Sequence, residues 1–328
     1  MRRVSAAACL VGVLVVLSAV GASGQGPGAP SESAGGAAAD DPKLQSPEAQ
    51  AELAARPNVP AVEKDGITFV AMRPLFEFLG ASVTYGEGSV SAARGDVSCR
   101  LTVGSTQALV NGEVRELEQP PFERDGAVMI PLRFAGEALG AKVTYEVTEL
   151  AGRISIAKPD TGAPLDPAEL VRLVADPLAD SSVLPIYMVA GRSEWAVGWL
   201  ARYEELLAQR TALLEQASAV VDRTAENYII GDNLDLDVDL SLGQSLLNQV
   251  HTADQHLLAA YHLAMRELPK AGEQARAIAA ERLRKMAEGG SEFQLNVLRE
   301  ERDAWRALAE RDPVKGVRTN AAAVLRLL

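Results

Sequence analysis

Between about Asn58 and Lys158 apolar residues alternate with polar ones in short runs, whereas from Asp166 to Leu328 they recur every three or four residues. The first spacing is that of half-buried strands and the second that of amphipathic helices. The change near Pro159 predicts two domains, an α+β domain over residues 58–158 on a largely antiparallel sheet, and an all-α bundle or helical stack over 159–328.

Within the first domain the pattern predicts strands over Ser98–Val103, Gln107–Val110, Ala127–Ile130, Lys142–Tyr145 and Arg153–Ala157. Asn111-Gly112 suits the type I′ turn of a tight hairpin. Pro131–Leu139 reads as a helix of two turns, and Gly140 as its left-handed terminator, since glycine takes that conformation without steric cost. In the second domain Trp199, Leu206, Leu213 and Val220 recur at sevens, as do Leu200, Leu207, Leu214, Val221 and Tyr228, giving a stripe wide enough for a bundle core. Leu246, Leu247, Val250, Leu257, Leu258, Tyr261, Met265 and Leu268 form a second such face. Pro269, Gly289-Gly290 and Asp312-Pro313 punctuate three shorter helices after it.

The strand region is written twice. Asp65, Gly66, Arg73, Glu77, Leu79, Gly80, Ala81, Val83, Thr84 and Tyr85 return, each 60 positions on, as Asp125, Gly126, Arg133, Glu137, Leu139, Gly140, Ala141, Val143, Thr144 and Tyr145. Most of these positions serve the backbone or packing, so the pattern marks a duplicated structural unit before it marks any chemistry. A fainter echo links Arg276, Ala279, Ala280, Leu283 and Arg284 to Arg318, Ala321, Ala322, Leu325 and Arg326, a period in the range of HEAT-type repeats.

Charge narrows the partners. With 32 Lys+Arg against 44 Asp+Glu, the 328-residue chain carries a net charge of −12, which disfavours nucleic acid and anionic lipid surfaces. Met1-Arg2-Arg3, the apolar stretch Ala6–Val20 and the small residues after it have the form of a secretory signal peptide over residues 1–24. A retained anchor is the competing reading, but the run is short for a span of about 20 residues. Residues 25–57, rich in Gly, Ala, Ser, Pro and Glu, read as a flexible linker. Cys99 is the one cysteine left after such a leader, so no intrachain disulfide is expected, and no later apolar run is long enough to span a bilayer. The expected location is periplasmic, envelope-associated or extracellular.

Three constellations invite a chemical reading. Arg73/Glu77 and Arg133/Glu137 are i,i+4 pairs in both copies, yet an Arg in the first turn opposes the helix dipole. An internal structural partner for each guanidinium is favoured over a bound anion. His251, His256 and His262 are spaced by five and six residues, not the four that turn two ligands toward one ion, so they read as helix-flank histidines. Asp232, Asp235, Asp237 and Asp239, with Asn233, alternate with Leu234, Leu236, Val238 and Leu240 as an extended segment with a solvated acidic side would. A calcium loop counted from Asp235 would need Gly and Glu where Leu240 and Leu246 stand. No nucleophile elbow, phosphate loop or zinc motif is present. No residue is assigned a catalytic, metal-binding or cofactor-binding role.

Val110-Asn111-Gly112-Glu113, Pro120-Pro121, Asp125-Gly126, Ile130-Pro131-Leu132-Arg133-Phe134, Glu137-Ala138-Leu139-Gly140-Ala141 and Val143 closely resemble the copper amine oxidase N-terminal-like, or stalk, domain. The first copy departs from the family pattern, with Ala71-Met72-Arg73 in place of Pro-Leu-Arg and no opening Val-Asn-Gly turn, so it is either incomplete or closed differently. The resemblance implies a non-catalytic module on exported bacterial envelope proteins, carrying neither copper nor oxidase chemistry. The quinone context of those oxidases is also missing, since Asn227-Tyr228 is followed by Ile229. The leading expectation is a scaffold or binding module, with a helical domain contacting an envelope polymer or protein. A solute or ion sensor and an envelope hydrolase are the alternatives.

Overall fold

A computed structural model describes residues 58–86, 88–159, 183–230 and 233–328, with the side chains of 226–237 excepted. The expected leader and linker, residues 1–57, lie outside the described residues. The described residues fall into two compact units, one within 204–257 and the other within 58–203 together with 258–328.

In the larger unit the duplication is visible in the elements. Strands β1 (Ala61–Lys64) and β2 (Ile67–Ala71), helix α1 (Met72–Phe78) and strands β3 (Ser82–Gly86) and β4 (Ser89–Arg94) form the first copy. Strands β5 (Val97–Thr102), β6 (Gln107–Val110) and β7 (Glu113–Glu116) follow. The second copy is β8 (Phe122–Arg124), β9 (Ala127–Pro131), α2 (Leu132–Leu139), β10 (Lys142–Val147) and β11 (Gly152–Ala157). Hairpin β12 (Val183–Val189) and β13 (Arg192–Ser193) comes last. All pairings are antiparallel, in a five-stranded sheet ordered β3-β4-β5-β6-β7 and an eight-stranded one ordered β10-β11-β12-β13-β1-β2-β9-β8. Asn111 and Gly112 have φ of 52° and 85°, as a type I′ turn requires, and Gly140 ends α2 at φ 69°.

Strands β12 and β13 fall in the stretch expected to be helical, and they change where the sheet ends. Six residues of β11, Gly152 to Ala157, pair with Met188 to Val183 of β12, so the expected boundary at 158/159 runs between two fully paired strands. The short apolar run Val183-Leu184-Pro185-Ile186-Tyr187 precedes a long helical pattern that masks its period in the sequence. The hairpin also closes the first copy. Ala190 and Gly191, at φ 50° and 75°, make a left-handed turn like that of Asn111-Gly112, and Arg192 pairs with Val62 of β1.

One continuous core joins both copies, with Phe76 of α1 and Leu79 just after it, Phe134 and Leu139 of α2, and Ile154, Ile156, Leu184 and Ile186 of the large sheet. The other face of that sheet carries Phe69, Ala71 and Met129, flanked by Val62, Ile67 and Phe122. Helix α3 (Trp195–Ile230) starts close to β12: a Cβ on Gly198 would come within 3.3 Å of the Tyr187 ring. Helix α4 (Asn233–Glu267) leads through a short turn of 3-10 helix to α5 (Glu273–Gly289), α6 (Glu292–Arg299), α7 (Arg302–Arg311) and α8 (Lys315–Leu327). Tyr261 of α4 is fully buried, accepts from Trp305 Nε1 at 2.8 Å and donates to the Leu298 carbonyl at 3.2 Å, which locks α4, α6 and α7 together. The faint repeat brings α5 against α8. Its two members differ in burial, since Ala280 is buried and Ala322 exposed.

In the smaller unit, Leu213, Ala217 and Val220 of α3 pack on Leu246, Val250 and Ala253 of α4. Arg210 meets Asp254 at 2.5 Å and Arg223 meets Asp239 at 2.5 Å, so the two segments run antiparallel. The acidic alternation is thereby corrected: helix α4 begins at Asn233, and no extended segment exists at 233–240. Asp235 and Asp237 fall in its first turns, where carboxylates complement the dipole, and the helical face from Leu246 onward outweighs eight residues of alternation.

Candidate functional site

A concavity lined by chemically varied residues lies in the larger unit. It is a cavity of about 360 Å³ bordered by Pro60–Val62, Arg124, Asp125, Ala127 and Met129, Arg192–Ala196, and Glu267, Lys270 and Ala271. Three local devices shape it. The β8–β9 turn, with Asp125 and Gly126 at φ 50° and 76°, turns back into β9. Strand β13 is tied to β1 by the Ala61 N–H donating to Ser193 Oγ at 2.9 Å. The break at Pro269 ends α4 and starts α5 at Gly272.

Glu194 organises the rim. Its side chain is 7% exposed, accepts from Arg192 Nε at 2.8 Å and from the Gly272 N–H at 3.3 and 3.4 Å. The carboxylate thus sits at the N-terminus of α5, where the dipole and free N–H groups favour negative charge. At Gly272 a Cβ would lie 2.5 Å from Arg192 Nη2 and 3.0 Å from Glu194 Oε1, so the end of Arg192 would have to shift to admit one. Behind it, Arg276 donates to the Ala271 carbonyl at 2.5 Å and to Asp312 at 2.9 Å, with both ends of the ion pair buried. Around the opening Arg124 pairs with Asp125 at 3.5 Å and Lys270 with Glu267 at 3.0 Å. Three cations and three carboxylates therefore line the cavity in pairs, over an apolar floor that includes Val62, Ala127 and Met129, with Trp195 beside it.

A second, smaller cavity of about 260 Å³ lies by Arg94, Asn111, Arg115, Phe134 and Glu137. Arg94 donates to the Leu79 carbonyl at 3.1 Å and to the Leu139 carbonyl at 2.9 Å. One guanidinium thus holds the carbonyl ends of both duplicated helices, the favourable end for a cation.

The duplicated arginines find different internal partners. Arg73 lies 4.5 Å over the Tyr85 ring, and Arg133 donates to Glu118 at 3.0 Å, so neither guanidinium uses the glutamate one turn on. Tyr145, the counterpart of Tyr85, does not stack on Arg133 but covers Gly152, where a Cβ would meet its hydroxyl at 2.7 Å. The histidines have separate surroundings: His251 faces Gln255 at 3.0 Å, His262 faces Glu301 at 2.5 Å, and His256 is buried. Among the described residues no group of three or more His, Cys, Asp or Glu is gathered as a metal site requires. Asp232 and the side chains of Asn233, Asp235 and Asp237 lie outside the described residues, while Asp239 is held by Arg223. Cys99 is buried in the core, which pushes its thiol up to about 11. Of the groove residues the sequence motifs mark Asp125 alone, in the duplicated Asp-Gly turn; Gly272 reads in sequence as a helix break, and its closeness to Arg192 and Glu194, some 80 positions away, depends on the fold.

The fold defines a class: an α+β module of antiparallel sheets whose large sheet is completed by a later hairpin. Residues 51–151 match the family model of the copper amine oxidase N-terminal domain, and the C-terminal half matches no family model. The match stops one residue before β11, so the strands that complete the sheet lie beyond it. A comparison with curated proteins and one with solved structures each found no match. No described helix is long and apolar enough to cross a membrane.

Proposed function

We propose that this is a non-catalytic exported protein of the cell envelope, in which the stalk-type domain is a scaffold and the groove beside Glu194 binds a sugar unit of an envelope polymer. The observation that carries the reading is the paired lining of the groove. Each of Arg124, Arg192 and Lys270 already has a carboxylate partner, so the lining has no net charge to spend on a phosphate or a free cation. Paired charged groups still offer hydrogen bonds to hydroxyls, and Val62, Ala127 and Trp195 offer apolar surface to the C–H face of a ring. Export is supported by the Met1–Val20 pattern and the scaffold role by the family of residues 51–151.

Co-sedimentation with insoluble peptidoglycan tests the proposal. The wild-type protein is expected in the pellet, and Ala127→Trp, which fills the groove from a half-buried position, in the supernatant with its melting temperature kept. Equal sedimentation of the two, or a wild-type protein that stays in solution, overturns it.

A further inference from the structure

We infer that a second copy of this chain pairs with the edge strand β10, giving a symmetric dimer in which the two eight-stranded sheets run on as one. The inference goes beyond the groove and does not depend on it. Strand β10 ends the large sheet among the described residues, and all its residues but Val143 are exposed. Tyr145 is 66% exposed and Val147 80%, a large apolar pair on the same side of one edge strand. Such an edge carries a row of backbone donors and acceptors and is a template for another strand.

The sequence of β10 selects the occupant. Laid antiparallel on itself with Thr144 on the two-fold axis, the strand sets Lys142 opposite Glu146 twice and Val143 opposite Tyr145 twice. The first pairing joins opposite charges and the second buries apolar side chains against each other. The nearest slip that keeps the faces aligned puts Tyr145 on the axis, sets Val143 against Val147 and Thr144 against Glu146, and loses both Lys142–Glu146 pairs, so charge favours the register centred on Thr144. In the monomer Glu146 already pairs with Arg153 of β11, directly across the sheet, so the second copy's Lys142 would join a row of alternating charge. Strand β3 is the internal control. It repeats Val83-Thr84-Tyr85 but has Ser82 and Gly86 where β10 has Lys142 and Glu146, and Arg73 covers its tyrosine.

Sedimentation velocity of the full chain over a range of concentrations is the test, with variants checked by thermal melts. The wild-type protein is expected to pass from monomer to dimer as concentration rises. Lys142→Glu and Glu146→Lys each set like charges opposite each other at two symmetric places, and each is expected to weaken the dimer roughly tenfold. An equimolar mixture of the two variants restores both attractive pairs and is expected to dimerise like the wild type, as is the double swap in one chain. Tyr145→Glu, at an exposed position, breaks both Val143–Tyr145 pairs and weakens the dimer without depending on the Arg153 pair. A wild-type protein that stays monomeric overturns the inference, as does a mixture no tighter than its components. Growth past the dimer means that β10 meets a different edge strand of another copy, β3, β7 or β8, and it overturns the symmetric pairing.

Discussion

At the scale of single residues, the stalk-type domain depends on side chains whose sequence surroundings give no hint of their role. Arg94 is the clearest case, since it bonds the Leu79 and Leu139 carbonyls and so ties the two duplicated helices together. Arg94→Met removes two charge-assisted bonds at a half-buried site, and urea unfolding is expected to show a loss of about 2 kcal/mol. Arg94→Lys keeps the charge but cannot fork to both carbonyls, so an intermediate loss is expected. Cys99 is a second case. Its thiol is raised from 9.0 to about 11 by burial, so the folded state resists ionisation. Stability is therefore constant with respect to this group below pH 9 and falls as the pH rises from there towards 11. A thiol reagent at neutral pH is expected to label Cys99 only in denaturant. Rapid labelling of the native protein would mean that the core around Leu101 and Val110 opens. Local turn chemistry was legible by contrast, because Asn111-Gly112 and Gly140 need positive φ and glycine or asparagine announces it. The partners of Arg73 and Arg133 were not, because Tyr85 and Glu118 reach them through the tertiary fold.

At the scale of elements, the break between α4 and α5 is built as tightly as the turns of the sheet. Glu194, buried and paired with Arg192, accepts from the Gly272 N–H at the start of α5, and a Cβ at Gly272 would displace the half-exposed end of Arg192. Gly272→Ala is expected to push the half-exposed end of Arg192 from its carboxylate and to cost about 1 kcal/mol or less, read from the shift in the denaturation midpoint. An unchanged midpoint would show that the rim relaxes freely. Strand patterns of period two were legible where one side of the sheet is buried, as in β11, whose Ile154 and Ile156 face the core. The same pattern misled at 233–240, where Asp and Leu alternate within a helix, because eight residues of alternation do not outweigh a longer helical face beyond them. Strands β12 and β13 escaped notice because their pairing with β11 and β1 is long-range, and only the partner strands define them.

At the scale of the whole molecule, the composition change at Pro159 does not coincide with the division into compact units. A fragment ending at residue 158 loses β12, and with it Leu184 and Ile186 from the core. Each such side chain contributes about 1.5–3 kcal/mol on burial, and the unpaired edge of β11 adds exposed backbone donors and acceptors. That fragment is expected to aggregate or to unfold without a cooperative transition, as followed by circular dichroism. The smaller unit has its own core in Leu213, Ala217, Val220, Leu246, Val250 and Ala253. Tyr203 and Tyr261, near its ends, have ring centroids 5.7 Å apart, so a short glycine-rich loop can replace residues 204–257. The groove residues all belong to the larger unit, which makes that deletion the most direct measurement of the central claim. Co-sedimentation with insoluble peptidoglycan is compared for the full chain and for the protein lacking 204–257, each shown to melt cooperatively. The expected result is equal retention in the pellet, abolished in both by Ala127→Trp. Loss of retention on deletion, with the cooperative melt preserved, would place the binding surface in residues 204–257 and contradict the assignment to the groove.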